Sequence, residues 1–187
     1  KLGADGELHE GLAEGVAAIQ REFDASGTEE DKECLHYCRF ERAGSSDKVF
    51  SNGVRDEGRN QETFQDFCEL SICKECKLEP AHVLALRLYT TAAFTSINDP
   101  LRDQKRFERG EPHPLALTVS FIKDALGRLR EVQSQTADAN RLVTLYRGMK
   151  DVNLSEDFLR RGGTELAPMS TTSDLKTAMV YARSSKS

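Results

Sequence analysis

The sequence has no long apolar run, and 30% of its 187 residues are charged. A helix needs about 20 predominantly apolar residues to cross a bilayer, so no membrane span is expected. Positive charge is not in excess: 26 Lys and Arg stand against 31 Asp and Glu, a net charge of -5. Basic and acidic residues are interspersed, as on a solvated surface. The molecule as a whole therefore has no electrostatic pull toward nucleic acid or anionic lipid. No repeat, low-complexity tract or signal-type apolar segment is present. The first residue is Lys1 rather than methionine, so the chain is expected to be processed, trimmed or part of a longer one, and its compartment stays open.

An even set of cysteines is also lacking. The five, Cys34, Cys38, Cys68, Cys73 and Cys76, cannot all pair, which argues against a disulfide framework. Their Cys-x3-Cys and Cys-x2-Cys spacings permit a four-thiolate zinc site. Each pair also sits at helical spacing among apolar residues, where cysteine packs as a small hydrophobe. That second reading is preferred, and no metal ligand is assigned. His9, His36, His82 and His113 show no spacing to one another or to a nucleophile that suggests catalysis, and are expected on the surface or on helices.

What is present suffices for one sizeable core, since 38% of the residues are hydrophobic. Residues 1–30 read as an amphipathic helix and a linker, with Leu8, Leu12, Val16, Ile19 and Phe23 at helical spacing, weakened by Gly11 and Gly15. Residues 31–79 read as helices and loop with the cysteines: a short helix over 30–40, a loop over 43–60 holding Val49, Phe50 and Val54, and a helix over 62–77. Pro80 suits the first turn of the next helix. Residues 81–97 are apolar on nearly every side, which predicts a central, surrounded helix, and Asn98-Asp99-Pro100 is expected to end it. Residues 107–114 read as a loop. Residues 115–132 predict an amphipathic helix with Leu115, Thr118, Phe121, Ile122, Ala125, Leu126 and Leu129 inward.

The pattern then changes. Leu142 to Tyr146 is aliphatic, β-branched and aromatic, which predicts a buried strand. Residues 151–161 predict a short helix or turn, Gly162-Gly163 a turn, and 164–169 a second strand. Ser173 or Asp174 is expected to cap a helix with Leu175, Ala178, Met179 and Ala182 inward. The expected fold class is α+β: a helical first half, then the first strands of a β-core within 80–187.

Two motifs lie at the ends of these strands. Arg147 follows the first, and its fork of donors matches phosphate oxygens; a structural salt bridge is the alternative. Gly148 lets a ligand or another backbone approach closely. Ser170, Thr171 and Thr172 follow the second strand. Hydroxyls there can bond ribose or orient a carboxylate, and capping of the next helix is the alternative.

Taken together, Tyr146-Arg147-Gly148 and Ser170-Thr171-Thr172 resemble the ADP-ribosyltransferase family of the arginine–serine–glutamate type. The segment Ala85-Leu86-Arg87-Leu88-Tyr89-Thr90-Thr91 with Ile97-Asn98-Asp99-Pro100-Leu101-Arg102 is similar to the helical region ahead of the core in eukaryotic members. The similarity covers roughly residues 80 to 183. It implies an NAD-dependent transfer of ADP-ribose to a protein side chain, arginine first, with NAD as substrate. Arg147 would contact the pyrophosphate or nearby ribose. Ser170 would hold the nicotinamide ribose and the catalytic glutamate, and Thr171 and Thr172 would support the strand end. A carboxylate stabilises the oxocarbenium-like charge that builds as the bond to nicotinamide breaks, and a second upstream can orient or deprotonate the acceptor.

One part of the family's pattern is missing. The Glu-x-Glu motif belongs after the serine motif, and Ser187 ends the chain without it. Glu165 precedes the serines and is not assigned that role. The chain by itself is therefore expected to be inactive. The alternative expectation is a catalytically silent domain that acts as a binding or structural subunit of an assembly, its partner a protein in either case.

Overall fold

The structure is a computed structural model and describes residues 10–40, 63–136, 141–149 and 155–182. The expected loop over 43–60, Leu8 and His9 lie outside the described residues. The chain divides into two compact units, Lys1–Ala137 and Asp138–Ser187.

The first unit holds eight helices among its described residues: α1 (Glu10–Ser26), α2 (Glu29–Phe40), α3 (Phe64–Cys68), α4 (Ser71–Glu75), α5 (Pro80–Tyr89), α6 (Phe94–Arg102), α7 (Gln104–Glu108) and α8 (Ala116–Ser134). Val16, Ile19 and Phe23 of α1 are buried, the stripe that the three-to-four spacing predicts. The linker expected after the first helix shrinks to Gly27 and Thr28. The reason is a capping box, in which the Asp31 amide donates to Thr28 Oγ1 and the Thr28 amide and hydroxyl both donate to Asp31 Oδ2.

α5 is the central element. Nearly every residue from Pro80 to Leu88 is buried, and the helix packs against α1, α2, α3, α6 and α8. Gly15 makes the close approach of α1 possible: a Cβ there would lie 2.8 Å from the Cβ of Ala81. Two polar side chains share this enclosed helix. Arg87 donates through Nη1 to the Cys38 carbonyl near the end of α2, and its guanidinium stacks 4.2 Å from the Phe67 ring centroid. His82, expected on the surface or on a helix, is on a helix but only 2% exposed.

The helix expected over 81–97 is two helices. The Thr90 and Thr91 hydroxyls donate back to the carbonyls of Arg87 and Leu88, offering the backbone an alternative to another helical turn. The chain turns there and restarts as α6, which runs through Pro100 to Arg102 instead of stopping at Asn98. The helix expected over 62–77 is likewise split into α3 and α4, because the Leu70 carbonyl takes the Cys73 and Lys74 amides and begins a new turn.

α8 begins at Ala116 with no side-chain cap of its own. Its cap comes from α1: Glu22 accepts from the Leu117 amide at 2.6 Å, the Thr118 amide at 2.9 Å and the Thr118 hydroxyl at 2.7 Å. A carboxylate suits the positive end of a helix dipole, and three donors are satisfied at once. Leu115, Thr118, Ile122 and Ala125 are buried as expected, whereas Leu126, expected inward, is 46% exposed.

The second unit holds α9 (Glu156–Arg161) and α10 (Leu175–Ala182) among its described residues. The α+β class expected from the sequence is overturned: the described residues are all-α. Neither 142–147 nor 164–169 is a strand, and among the described residues the one β-type contact is an isolated antiparallel bridge between Tyr146 and Thr172. Leu142, Val143 and Leu145, expected to be buried, are exposed. Apolar, β-branched sequence favours an extended chain, but a strand exists only where a neighbouring chain takes up its hydrogen bonds.

Two outcomes follow for the helical unit. Glu22→Ala leaves three donors uncapped, one of them on the fully buried Thr118 side chain, and should cost about 2–3 kcal/mol in urea unfolding. Hydrogen bonds from His82 and then Arg128 hold the Asp124 carboxyl below its ordinary value of 3.8. A carboxyl depressed on folding contributes stability that is present above its unfolded pKa and lost as pH falls through the folded value. Stability should therefore decline below about pH 4, and Asp124→Asn should remove that part of the decline in unfolding curves taken at neutral and acid pH.

Candidate functional site

The Tyr146–Thr172 bridge joins the two motifs that the sequence singles out. The Tyr146 amide donates to the Thr172 carbonyl at 2.7 Å, and the Thr172 amide returns a bond to the Tyr146 carbonyl at 2.9 Å. In the antiparallel register this sets, Arg147 falls across from Thr171 and Gly148 across from Ser170. Residues far apart in the chain are thus brought side by side.

Local chemistry fixes the second motif. The Thr172 hydroxyl accepts from the Asp174 amide at 3.1 Å. Asp174 in turn caps α10: its Oδ1 accepts from the Lys176 amide and its Oδ2 from the Thr177 hydroxyl. These bonds hold the Asp174 carboxyl below its ordinary value, the Thr177 hydroxyl contributing most. Thr172 is therefore occupied by local structure. Ser170 and Thr171 are exposed and make no side-chain hydrogen bond among the described residues.

The first motif is held by α10 and by a carboxylate. A Cβ at Gly148 would lie 2.2 Å from the Ala178 carbonyl oxygen and 2.9 Å from the Ala182 amide. Glycine is thus required for the approach of a helix backbone, one of the two uses expected of it. Arg147 Nη1 donates to Glu165 Oε2 at 3.4 Å, and the other oxygen of Glu165 accepts from the Ala167 amide at 3.1 Å. The salt bridge weighed as the alternative for Arg147 is present. Both side chains keep partial exposure, 25% for Arg147 and 30% for Glu165. The partnership with Glu165 had no signal in the sequence, since the two stand eighteen positions apart with no spacing rule to link them.

Gly162 and Gly163 shape the turn before Glu165. Gly162 has φ +72° and ψ -164°, a region that only glycine enters readily. It ends α9, whose N-terminus Ser155 caps through the Phe158 amide. A Cβ at Gly163 would meet the Phe158 ring at 2.5 Å.

In the helical unit one pair has the look of a catalytic couple. His82 Nε2 lies 2.8 Å from Asp124 Oδ2, and its Nδ1 accepts from the Glu79 amide at 3.0 Å. The backbone bond uses Nδ1 as an acceptor, which leaves Nε2 facing the Asp124 carboxylate. Phe121 packs edge-on against the ring, and Arg128 shares the Asp124 carboxylate. Both ring nitrogens are committed, so His82 is a cap for α5. The signal for this was in the sequence: His82 stands third after Glu79, the place from which a side chain reaches back to a helix start. His113 serves similarly, bridging the Leu115 amide and the Ile97 carbonyl.

No disulfide joins the five cysteines, of which four are buried and Cys68 is half-buried. Burial pushes the Cys68 thiol up to about 12, with the neighbouring Cys73 adding to it. Burial also raises Cys34, Cys73 and Cys76. Such thiols stay protonated at neutral pH, which suits packing and disfavours nucleophilic use. Among the described residues no cluster of three or more His, Cys, Asp or Glu side chains is placed to hold a metal ion. No helix among them is long and apolar enough to cross a membrane.

No protein-family model, curated protein or solved structure matches the chain. The site is read from its own geometry.

Gly148→Ala drives a methyl group into the backbone of α10, which must retreat. We expect faster amide hydrogen exchange at Tyr146 and Thr172, the two ends of the bridge, and a loss of about 1–3 kcal/mol in the local opening free energy.

Proposed function

We propose that residues 141–182 form part of an NAD site of the kind the arginine–serine–glutamate ADP-ribosyltransferases use, and that NAD is bound there as a substrate. The observation that supports this most directly is the Tyr146–Thr172 bridge, which sets Arg147 beside the Ser170-Thr171 hydroxyls. The residues fit the group. Among the described residues only Nη1 of the Arg147 fork is engaged, and at 3.4 Å, so donors remain for a pyrophosphate. The open hydroxyls of Ser170 and Thr171 suit a ribose. Thr172 and Gly148 support the site from behind, one through the bridge and the cap of α10, the other by letting α10 close against it.

NAD supplies the ADP-ribosyl group and nicotinamide as a good leaving group. The roles of this chain's residues are binding ones: Arg147 neutralises and orients phosphate, and Ser170 positions the ribose. Transfer calls in addition for the Glu-x-Glu carboxylates, and no Glu-x-Glu follows Ser170 in these 187 residues. The reading for this chain is NAD binding, with transfer to a protein side chain, arginine first, in any longer protein that adds those carboxylates.

A second reading has its own support. Arg147 already has an anionic partner in Glu165, as a silent domain kept for assembly could tolerate. Calorimetry with NAD separates the two. On the first reading NAD binds, and Arg147→Ala weakens binding by about 1–3 kcal/mol, the cost of a lost charged hydrogen bond. Absence of NAD binding, or equal affinity in the variant, would remove the first reading.

A further inference from the structure

Glu165 stands five residues ahead of Ser170, on the segment that leads into the serine motif. Its carboxylate is hooked at one oxygen by the Ala167 amide and offers the other to Arg147. Ala167 is itself buried, so the hook is anchored in the unit's interior. The contact to Arg147 is long, uses one donor of a fork built for two parallel bonds, and is partly open to water. A tight structural pair would be shorter and bidentate. The contact here is weak enough to be exchanged and close enough to fill the place of a ligand's anion.

We propose that Glu165 is an internal anion that competes with the ligand's pyrophosphate for Arg147 and so sets the affinity of the site. The proposal rests on the reading of Arg147 as a pyrophosphate contact. With Glu165 in place the arginine's charge is already balanced, and a weakly charged ligand gains little by displacing it. A pyrophosphate brings several acceptor oxygens to the same fork and replaces one long contact with shorter, charge-assisted bonds. The Ala167 amide holds the displaced carboxylate close by, where it returns to Arg147 when the ligand leaves.

The test measures binding of NAD and of inorganic pyrophosphate to the full chain by calorimetry, in wild type, Glu165→Gln, Glu165→Ala, and the same changes on an Arg147→Ala background. The glutamine keeps an oxygen for the Ala167 amide and removes the charge; the alanine removes both. Tighter binding in both variants is expected, roughly two- to fivefold at low salt. The gain should shrink as salt rises and vanish without Arg147. Equal affinity of NAD for wild type and both Glu165 variants would overturn the competition and leave the NAD reading standing. An Arg147-dependent gain for pyrophosphate with no NAD binding would uphold the competition and overturn that reading. Binding of neither ligand to any variant would overturn both.

Discussion

On a helix enclosed on nearly all sides an unpartnered polar side chain is costly, and α5 carries two polar side chains, Arg87 and His82. Burying an uncompensated charge costs several kcal/mol, far more than one hydrogen bond returns. The placement of Arg87 and His82 therefore dictates what surrounds them. Arg87 draws the carbonyl end of α2 and the Phe67 face of α3 onto α5. His82 ties the start of α5 to Asp124, and thereby to Arg128, which also reaches the Lys77 carbonyl. The apolar contacts of Leu84, Leu88 and Ile97 supply the bulk of the driving force, but they are non-directional. The polar groups of α5 select one arrangement among the many that would bury the same area.

The cap of α8 follows the same logic. Its first amides are satisfied by Glu22 of α1, so the start of one helix depends on the docking of another. Local structure and tertiary packing are here a single event. The irregular unit works differently. Its centre is one reciprocal bridge, and the motif residues divide around it. Thr172 and Gly148 are consumed in building the bridge and seating α10, while Ser170, Thr171 and most of the Arg147 fork stay available.

Much of the helical unit was legible in the sequence. The stripes of α1 and α8 and the all-round apolar character of the stretch that became α5 each specify a face or its absence. What misled were local signals that tertiary contacts outweighed. Pro100 reads as a stop, yet α6 passes through it, and the break falls instead where Thr90 and Thr91 turn back on the backbone. The apolar run at Leu142 to Tyr146 reads as a strand, and the described chain offers it a single bridged residue. Arg147 and the hydroxyl run stand out in the sequence by residue type, while the contact of Glu165 with Arg147 does not, because it exists only across a turn.

The sequence by itself determined which segments are amphipathic and that Ser173 or Asp174 would begin the last helix. These depend on neighbours within a few positions, where covalent geometry does the placing. Only the tertiary structure decided that Glu22 caps α8, that His82 is buried against Asp124, that Gly148 yields to a helix backbone, and that Arg147 meets Glu165. Each of these joins residues far apart in the chain. Their pairing is set by the packing that closes the loop between them, and no local pattern encodes it.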